Sequence, residues 1–333
     1  MIDTLVLIPE KYWDREVFAR YENEYNFILA ENPTEEQLEQ AEVIIGQPKI
    51  EQISKCKKLK WIQLSFAGMD YYTCHKEKLN GIVITNASGA YGPAISEYVL
   101  AMTLSIMKKL HGYRDNQNNG VWKDLGKEES IVGKKVLVVG AGNIGTHVAR
   151  LFKLFGCEVD GIRRRISDTE QSDENRKEEF DSMNPLAELD GLLECADIVV
   201  LSLPSTKETW HIMNENRLNH MKKSSILINV GRGSLIDTDA LVKVLQDNRI
   251  LGAGLDVLEE EPLNSQHPLW TCKNAIITPH ITGGSFGHLD ITSKIIYDIM
   301  AKNIEKYAAG EVFGEKLNTV HPAVAKEEIS EIR

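Results

Sequence analysis

Short, unbroken apolar runs alternate with longer polar stretches along the chain. In its first part the runs are Thr4 to Ile8, Tyr25 to Ala30, Val43 to Gly46, Trp61 to Leu64 and Ile82 to Thr85. Runs without the period-two alternation of a half-exposed strand belong to strands covered on both faces. The charged, helix-spaced stretches between them read as crossovers, so the pattern predicts a parallel sheet. The stretch Ala94 to Leu110 is mostly apolar and predicts one long helix, lying either in a core or at a subunit contact. It follows a loop rich in turn residues, Asn86 to Pro93, whose proline suits the first turn of a helix, and a domain boundary is expected there.

The second part is organised around Lys134 to Gly145. Val136 to Val139 predict a buried strand that runs into three glycines, and Thr146 to Phe155 continue with helical spacing. In that context Gly140 allows a tight turn, Gly142 lets the backbone approach a pyrophosphate, and Gly145 lets the helix pack closely on the strand. Further strands are predicted at Glu158 to Ile162, Asp197 to Leu203, Ser225 to Val230, Gly252 to Val257 and Ala275 to Thr278. Asp237 to Asp247 predicts a capped helix, and Leu289 to Ala309 a helix that crosses back to the N-terminal domain. An acid that binds ribose hydroxyls is expected about 20 residues beyond the first glycine. Asp160 meets that count but lies inside its strand, whereas Arg163, Arg164 and Arg165 stand at the strand's end.

Composition narrows the classes. With 333 residues, 42% of them hydrophobic, the chain can fill two cores, and a net charge of −11 argues against a nucleic-acid or membrane-surface partner. Five scattered cysteines with no CxxC pair predict neither a disulfide framework nor a zinc site. The N-terminus opens on Asp3 and a short apolar run ended by Pro9, unlike a signal peptide or a spanning helix, so a cytoplasmic protein is expected.

Three predicted strand ends each deliver a polar residue: Arg232, the acidic triplet Glu259 to Glu261, and His280. A doubly wound sheet collects its ligands at strand C-termini. Hydride transfer to a 2-oxo acid needs a forked donor for the carboxylate and carbonyl, which a guanidinium supplies. It also needs a proton donor for the developing alkoxide and a carboxylate beside it, which a histidine and a glutamate supply without any metal. Ser65 to Asp70 could expose backbone N–H groups to an anion, or could be a turn whose glycine supplies a positive φ. Phe66, Tyr91 and Trp122 could line a substrate pocket or belong to cores.

The ordered stretches Gly140-Ala-Gly-Asn-Ile-Gly145, Leu203-Pro204, Asn229-Val-Gly-Arg-Gly-Ser234, Asp256 to Pro262 and Pro279-His280-Ile-Thr-Gly283-Gly284 resemble the D-isomer-specific 2-hydroxyacid dehydrogenases over essentially the whole chain. The resemblance implies two doubly wound parallel-sheet α/β domains, with a Rossmann-type dinucleotide-binding domain (95–285) inserted in a flavodoxin-like substrate domain (1–94 and 286–333). It implies that Arg232 binds the substrate carboxylate and carbonyl, His280 is the acid/base and Glu261 pairs with it, while Ala67 and Gly68 offer backbone donors to the carboxylate. It places Asp256 at the nicotinamide carboxamide and Thr209 near the cofactor phosphates. Gly140, Gly142, Asn143, Ile144, Gly145, Pro204, Val230, His280 and Gly283 are the remaining implied cofactor contacts. Subunits of the family usually pair through the cofactor domain, so a homodimer is expected.

Two departures from the family pattern stand out. Ser96-Glu97 replaces the usual Ala-Glu, and Arg163 replaces the acid found after the second strand in NAD-dependent members. An acid there would repel the 2′-phosphate of NADP and an arginine can bind it, so NADP is expected as the preferred cofactor, with NAD possible. A small 2-oxo or 2-hydroxy acid is the expected substrate. The rival of another class is a nucleotide-sensing regulator of the corepressor type, and a formate dehydrogenase-like enzyme would carry Gln rather than Glu261.

Overall fold

The structure, a computed structural model, describes residues 1–163 and 178–311. Arg164 and Arg165 lie outside the described residues. The strands are β1 Ile2–Val6, β2 Tyr25–Leu29, β3 Val43–Ile45, β4 Trp61–Gln63, β5 Val83–Thr85, β6 Lys135–Val139, β7 Glu158–Arg163, β8 Ser182–Pro185, β9 Ile198–Leu201, β10 Ile226–Asn229, β11 Gly252–Leu255 and β12 Ala275–Ile277. The longer helices are α1 Gly92–Met107, α2 Leu110–Asn118, α3 Asn143–Leu154, α4 Thr238–Gln246 and α5 Asp290–Ala308. The chain divides into two compact units, Met1–Tyr91 with Gly284–Arg333, and Gly92–Gly283.

The first unit is a parallel sheet in the order β2-β1-β3-β4-β5, the flavodoxin-like order, with Leu5, Ile44, Ile62 and Ile84 buried at its centre. The return helix α5 belongs to this unit although it is remote in sequence, and a buried polar network holds it there. Gln63 Oε1 accepts from Thr85 Oγ1 and from Asn303 Nδ2 on α5, both at 2.6 Å. Trp61 Nε1 donates to Thr85 Oγ1 at 2.9 Å, and the hydroxyls of Tyr21 and Tyr25 donate to the carbonyls of Ala301 and Ile304. A buried polar group left unpaired costs more than a paired one returns, so such a network selects a single docking of the helix.

The second unit is a seven-stranded parallel sheet, β12-β11-β10-β9-β6-β7-β8. Counted from β6, this is the dinucleotide-binding order 3-2-1-4-5-6 with one strand added, and its switch point lies between β6 and β9. Helix α1 is a core helix of this unit, the first of its two expected placements. A Cβ on Gly252 would lie 2.9 Å from Ile106 Cγ2, and one on Gly254 would lie 2.8 Å from Met102 Sδ, so the glycines of β11 let α1 sit against the sheet. The helix stops before the expected Leu110 because Lys109 takes a left-handed φ of 52°, and α2 starts afresh beyond it. Strand β8, Ser-Met-Asn-Pro, has no apolar run to announce it; it is a polar edge strand whose proline suits an edge.

Candidate active site

The dinucleotide turn is built from steric limits. Gly140 has φ +112°, and a Cβ there would lie 2.8 Å from the Ser202 backbone. A Cβ on Gly145 would lie 2.4 Å from the Gly140 carbonyl oxygen, so this residue sets how closely α3 can approach the end of β6. Gly142 is different: its φ is −91° and a Cβ would meet nothing within 4 Å. The protein's own atoms therefore do not require glycine at 142, and its open side leaves room for a ligand to approach the backbone. Gly142 is also the N-cap of α3 and supplies no side-chain cap, so the first-turn N–H groups around Asn143 and Ile144 are left to an outside acceptor. These residues fit a pyrophosphate.

The loop after β9 abuts this turn. Ser202 Oγ donates to the Gly140 carbonyl at 2.9 Å, and Thr209 Oγ1 donates to the Pro204 carbonyl at 2.7 Å while accepting from Thr206 N. Val230 N donates to the Leu201 carbonyl at 3.1 Å, and Gly283 is the last residue of the unit. The N–H groups of Gly140 and Ala141 both donate to the Ile162 carbonyl at 3.0 Å. Arg163, the next residue and the last of β7, therefore emerges beside the turn. Asp160 sits three residues back, about 10 Å along the strand, and its carboxylate accepts from Ser182 Oγ on β8.

Arg232 follows β10. The buried Asn229 shapes its turn, with Oδ1 accepting from Gly231 N at 3.1 Å and Nδ2 donating to the Arg232 carbonyl at 2.8 Å. Arg232 is half-buried, and its guanidinium donates to the Gly231 carbonyl. Gly233 is obligatory, since a Cβ would lie 1.9 Å from the Leu258 carbonyl carbon. The turn that carries Arg232 thus abuts the loop that carries the acidic triplet.

Within that loop Glu261 Oε1 accepts from Leu258 N at 2.9 Å, and Oε2 faces His280 Nδ1 at 2.9 Å. His280 Nε2 has no hydrogen-bond partner among the described residues. His280 takes φ +54°, unusual for a residue with a side chain, and Asp256 maintains that shape. The carbonyl of Asp256 accepts from His280 N at 2.8 Å. Its buried carboxylate accepts from the hydroxyls of Thr278 and Thr282, both at 2.7 Å, and from the N–H groups of Ile281 and Thr282.

Ala67 and Gly68 lie in the first unit, in the loop after β4. Of the three aromatics considered for a pocket, Tyr91 is buried, Phe66 half-buried, and Trp122 fully exposed beyond α2. Sequence reasoning did not single out Glu259 within the triplet, nor its partner His211. Their ring and carboxylate meet at 2.6 Å across 48 positions of chain, with no spacing that could reveal it.

A sheet of dinucleotide-binding order with a histidine–glutamate pair at its strand ends is an arrangement suited to a class, the nicotinamide-dependent oxidoreductases. Residues 100–282 match the family described as D-isomer specific 2-hydroxyacid dehydrogenase, NAD binding domain. A glyoxylate reductase of Thermococcus gammatolerans is 34% identical over 74% of this chain and 72% of its own length. Among solved structures, a D-isomer specific 2-hydroxyacid dehydrogenase family protein from Aeromonas salmonicida has 29% identity and a TM-score of 0.82, covering 96% of this chain and 99% of that one. A D-lactate dehydrogenase from Aquifex aeolicus, solved with NAD and lactic acid, has 26% identity and a TM-score of 0.71 over 93% of this chain and 96% of that one. The chain belongs to the D-isomer-specific 2-hydroxyacid dehydrogenases, oxidoreductases of 2-hydroxy acids with an NAD(P)-binding domain.

Proposed function

We propose that the protein transfers hydride between NADP(H) and C2 of a small 2-oxo acid, forming the D-2-hydroxy acid, with glyoxylate the first candidate because the relatives matched include a glyoxylate reductase. The carrying observation is the His280 ring, held through Nδ1 by Glu261 with Nε2 left unpartnered among the described residues. In reduction His280 Nε2 gives a proton to the carbonyl oxygen as alkoxide character develops, and in oxidation it takes that proton back. Glu261 holds the ring in place through their contact, and Asp256 keeps the segment that presents it in shape. The Arg232 guanidinium receives the substrate's carboxylate and carbonyl oxygens. In the first unit, the N–H groups of Ala67 and Gly68 are donors of the kind a carboxylate takes, and we assign them to it. Gly142 and the start of α3 would hold the pyrophosphate of the cofactor, which supplies or accepts the hydride at its nicotinamide C4.

The preference for NADP rests on Arg163 at the tip of β7, beside the glycine turn, and on Asp160 being engaged within the sheet. A charge-assisted hydrogen bond is worth about 1.5–3 kcal/mol, so one such bond to a 2′-phosphate gives a preference of about tenfold or more. The test is a screen of glyoxylate, pyruvate, hydroxypyruvate, 2-oxoisocaproate and phenylpyruvate with each reduced cofactor. Turnover that is more efficient with NADPH, and an Arg163→Asp variant that erodes the preference, are expected. Equal or better efficiency with NADH at moderate salt defeats the cofactor assignment, and no turnover of any of the five acids defeats the activity.

A further inference from the structure

In a trans peptide the C=O of one residue and the N–H of the next point in opposite directions. Whatever holds a carbonyl therefore aims the following N–H. In the loop Ser65 to Met69, three successive carbonyls are held, all by the segment that follows β5. The Tyr91 hydroxyl donates to the Ser65 carbonyl at 3.0 Å, Ala87 N to the Phe66 carbonyl at 3.0 Å, and Asn86 Nδ2 to the Ala67 carbonyl at 2.8 Å. Among the described residues, the N–H groups of Phe66, Ala67 and Gly68 donate to nothing. They are left on the opposite side of their peptides from the bonds that hold them.

The Asn86 side chain is itself oriented, not merely near. It is buried, and its Oδ1 accepts from Ser88 N at 3.1 Å, which directs Nδ2 to the Ala67 carbonyl. Tyr91 is likewise buried. Burial pushes its pKa up to about 12, so the hydroxyl remains a donor at any working pH.

We infer that Asn86 is a positioning residue that aims the Gly68 N–H at the substrate carboxylate by fixing the peptide between Ala67 and Gly68, while Tyr91 fixes the peptide between Ser65 and Phe66. This rests on the assignment of Ala67 and Gly68 as carboxylate donors. It gives the two side chains an order: Asn86 acts on an N–H assigned to the substrate, Tyr91 on one that is not. A merely structural role carries no such order, because the loss of either hydrogen bond would then lower stability without a selective rise in the oxo-acid KM.

The test compares Asn86→Ala and Tyr91→Phe with the parent protein in glyoxylate reduction. The readouts are KM and kcat for the oxo acid, the dissociation constant of the reduced cofactor by fluorescence titration, and the melting temperature. Asn86→Ala is expected to raise the KM for the oxo acid about tenfold, the loss of roughly one charge-assisted bond, with cofactor affinity within twofold of the parent. Tyr91→Phe is expected to raise it less. An Asn86→Ala protein whose KM stays within twofold overturns the inference, as does one in which cofactor affinity falls in step with KM. If Asn86→Ala does not fold, Asn86→Ser, which keeps a shorter donor, must show the raised KM, and a parental KM there overturns the inference. No oxo-acid turnover by the parent protein overturns the underlying assignment, and this inference with it, whereas parental turnover with unaffected variants overturns the inference alone.

Discussion

Glu259 and Glu261 stand two residues apart on one loop, and each carboxylate takes a histidine nitrogen, His211 Nε2 at 2.6 Å and His280 Nδ1 at 2.9 Å. Both histidines hold the left-handed backbone, φ +47° and +54°, which carries a cost of about 1 kcal/mol or more for a residue with a side chain. The surroundings differ. The Glu259 pair is the more buried, with side-chain exposures of 21% for His211 and 30% for Glu259, against 54% and 39% for His280 and Glu261. The His211 ring stacks on Trp210 with centroids 3.6 Å apart, and the second oxygen of Glu259 accepts from the N–H of Thr238, the first residue of α4, at 3.0 Å. That carboxylate therefore caps a helix as well as binding a ring, and the helix dipole favours its charge. A carboxylate touching an imidazole is thus not by itself an acid/base site. Here the open pair, at a strand end, is the one we assign to proton exchange, and the covered pair fastens the loop that carries Glu261.

The sharpest way to break this comparison is to remove each ring in turn. His280→Ala should lower turnover about 10²- to 10⁴-fold, the range for general acid catalysis, with the melting temperature close to that of the parent. His211→Ala should cost less than about tenfold in turnover and should lower stability by about 1.5–3 kcal/mol, the size of a charge-assisted hydrogen bond. Steady-state rates and thermal unfolding of the two variants decide it. Equal losses of turnover would mean that the covered pair also takes part in the chemistry.

A smaller and more selective effect comes from neutralising each carboxylate. Gln at 261 replaces a carboxylate, which only accepts, with an amide whose nitrogen can also face His280 Nδ1, so the ring is held less firmly. Glu261→Gln should therefore lower kcat in both directions, though by less than His280→Ala does. Glu259→Gln should leave kcat close to that of the parent. Steady-state rates in both directions are the measurement, and an equal loss caused by Glu259→Gln would erase the distinction between the pairs.

The sequence makes one side of this comparison readable and hides the other. His280 and Glu261 stand out because strand-ending motifs frame them, and the run from Val136 to Gly145 announces its strand, turn and helix through apolar residues and glycines whose steric need is local. The alternating runs likewise make both parallel sheets legible. What lacks a local signal is lost. Strand β8 has neither an apolar run nor alternation, and α1 ends where Lys109, an ordinary helix former, turns left-handed. The partnership of Glu259 with His211 and Thr238, and that of Asn86 with Ala67, join residues far apart in the chain through one or two polar contacts each. Periodicity reports which face of an element is buried, but not which polar atom meets which across a fold.

The smallest expected effect isolates the fastening role. The Thr238 hydroxyl donates to the same Glu259 oxygen as its own N–H. Thr238→Val keeps the side-chain shape and the backbone donor and removes only the hydroxyl. One hydrogen bond of this kind contributes about 1 kcal/mol net, so the melting temperature should fall by about 2–4 °C. Turnover and its pH profile should stay at parental values, because the N–H and His211 still hold Glu259, and Glu261 keeps its contact with His280. A Thr238→Val protein with parental stability would show that the hydroxyl contributes nothing to the anchor. One with altered turnover would show that the loop transmits small displacements from the covered pair to the open one.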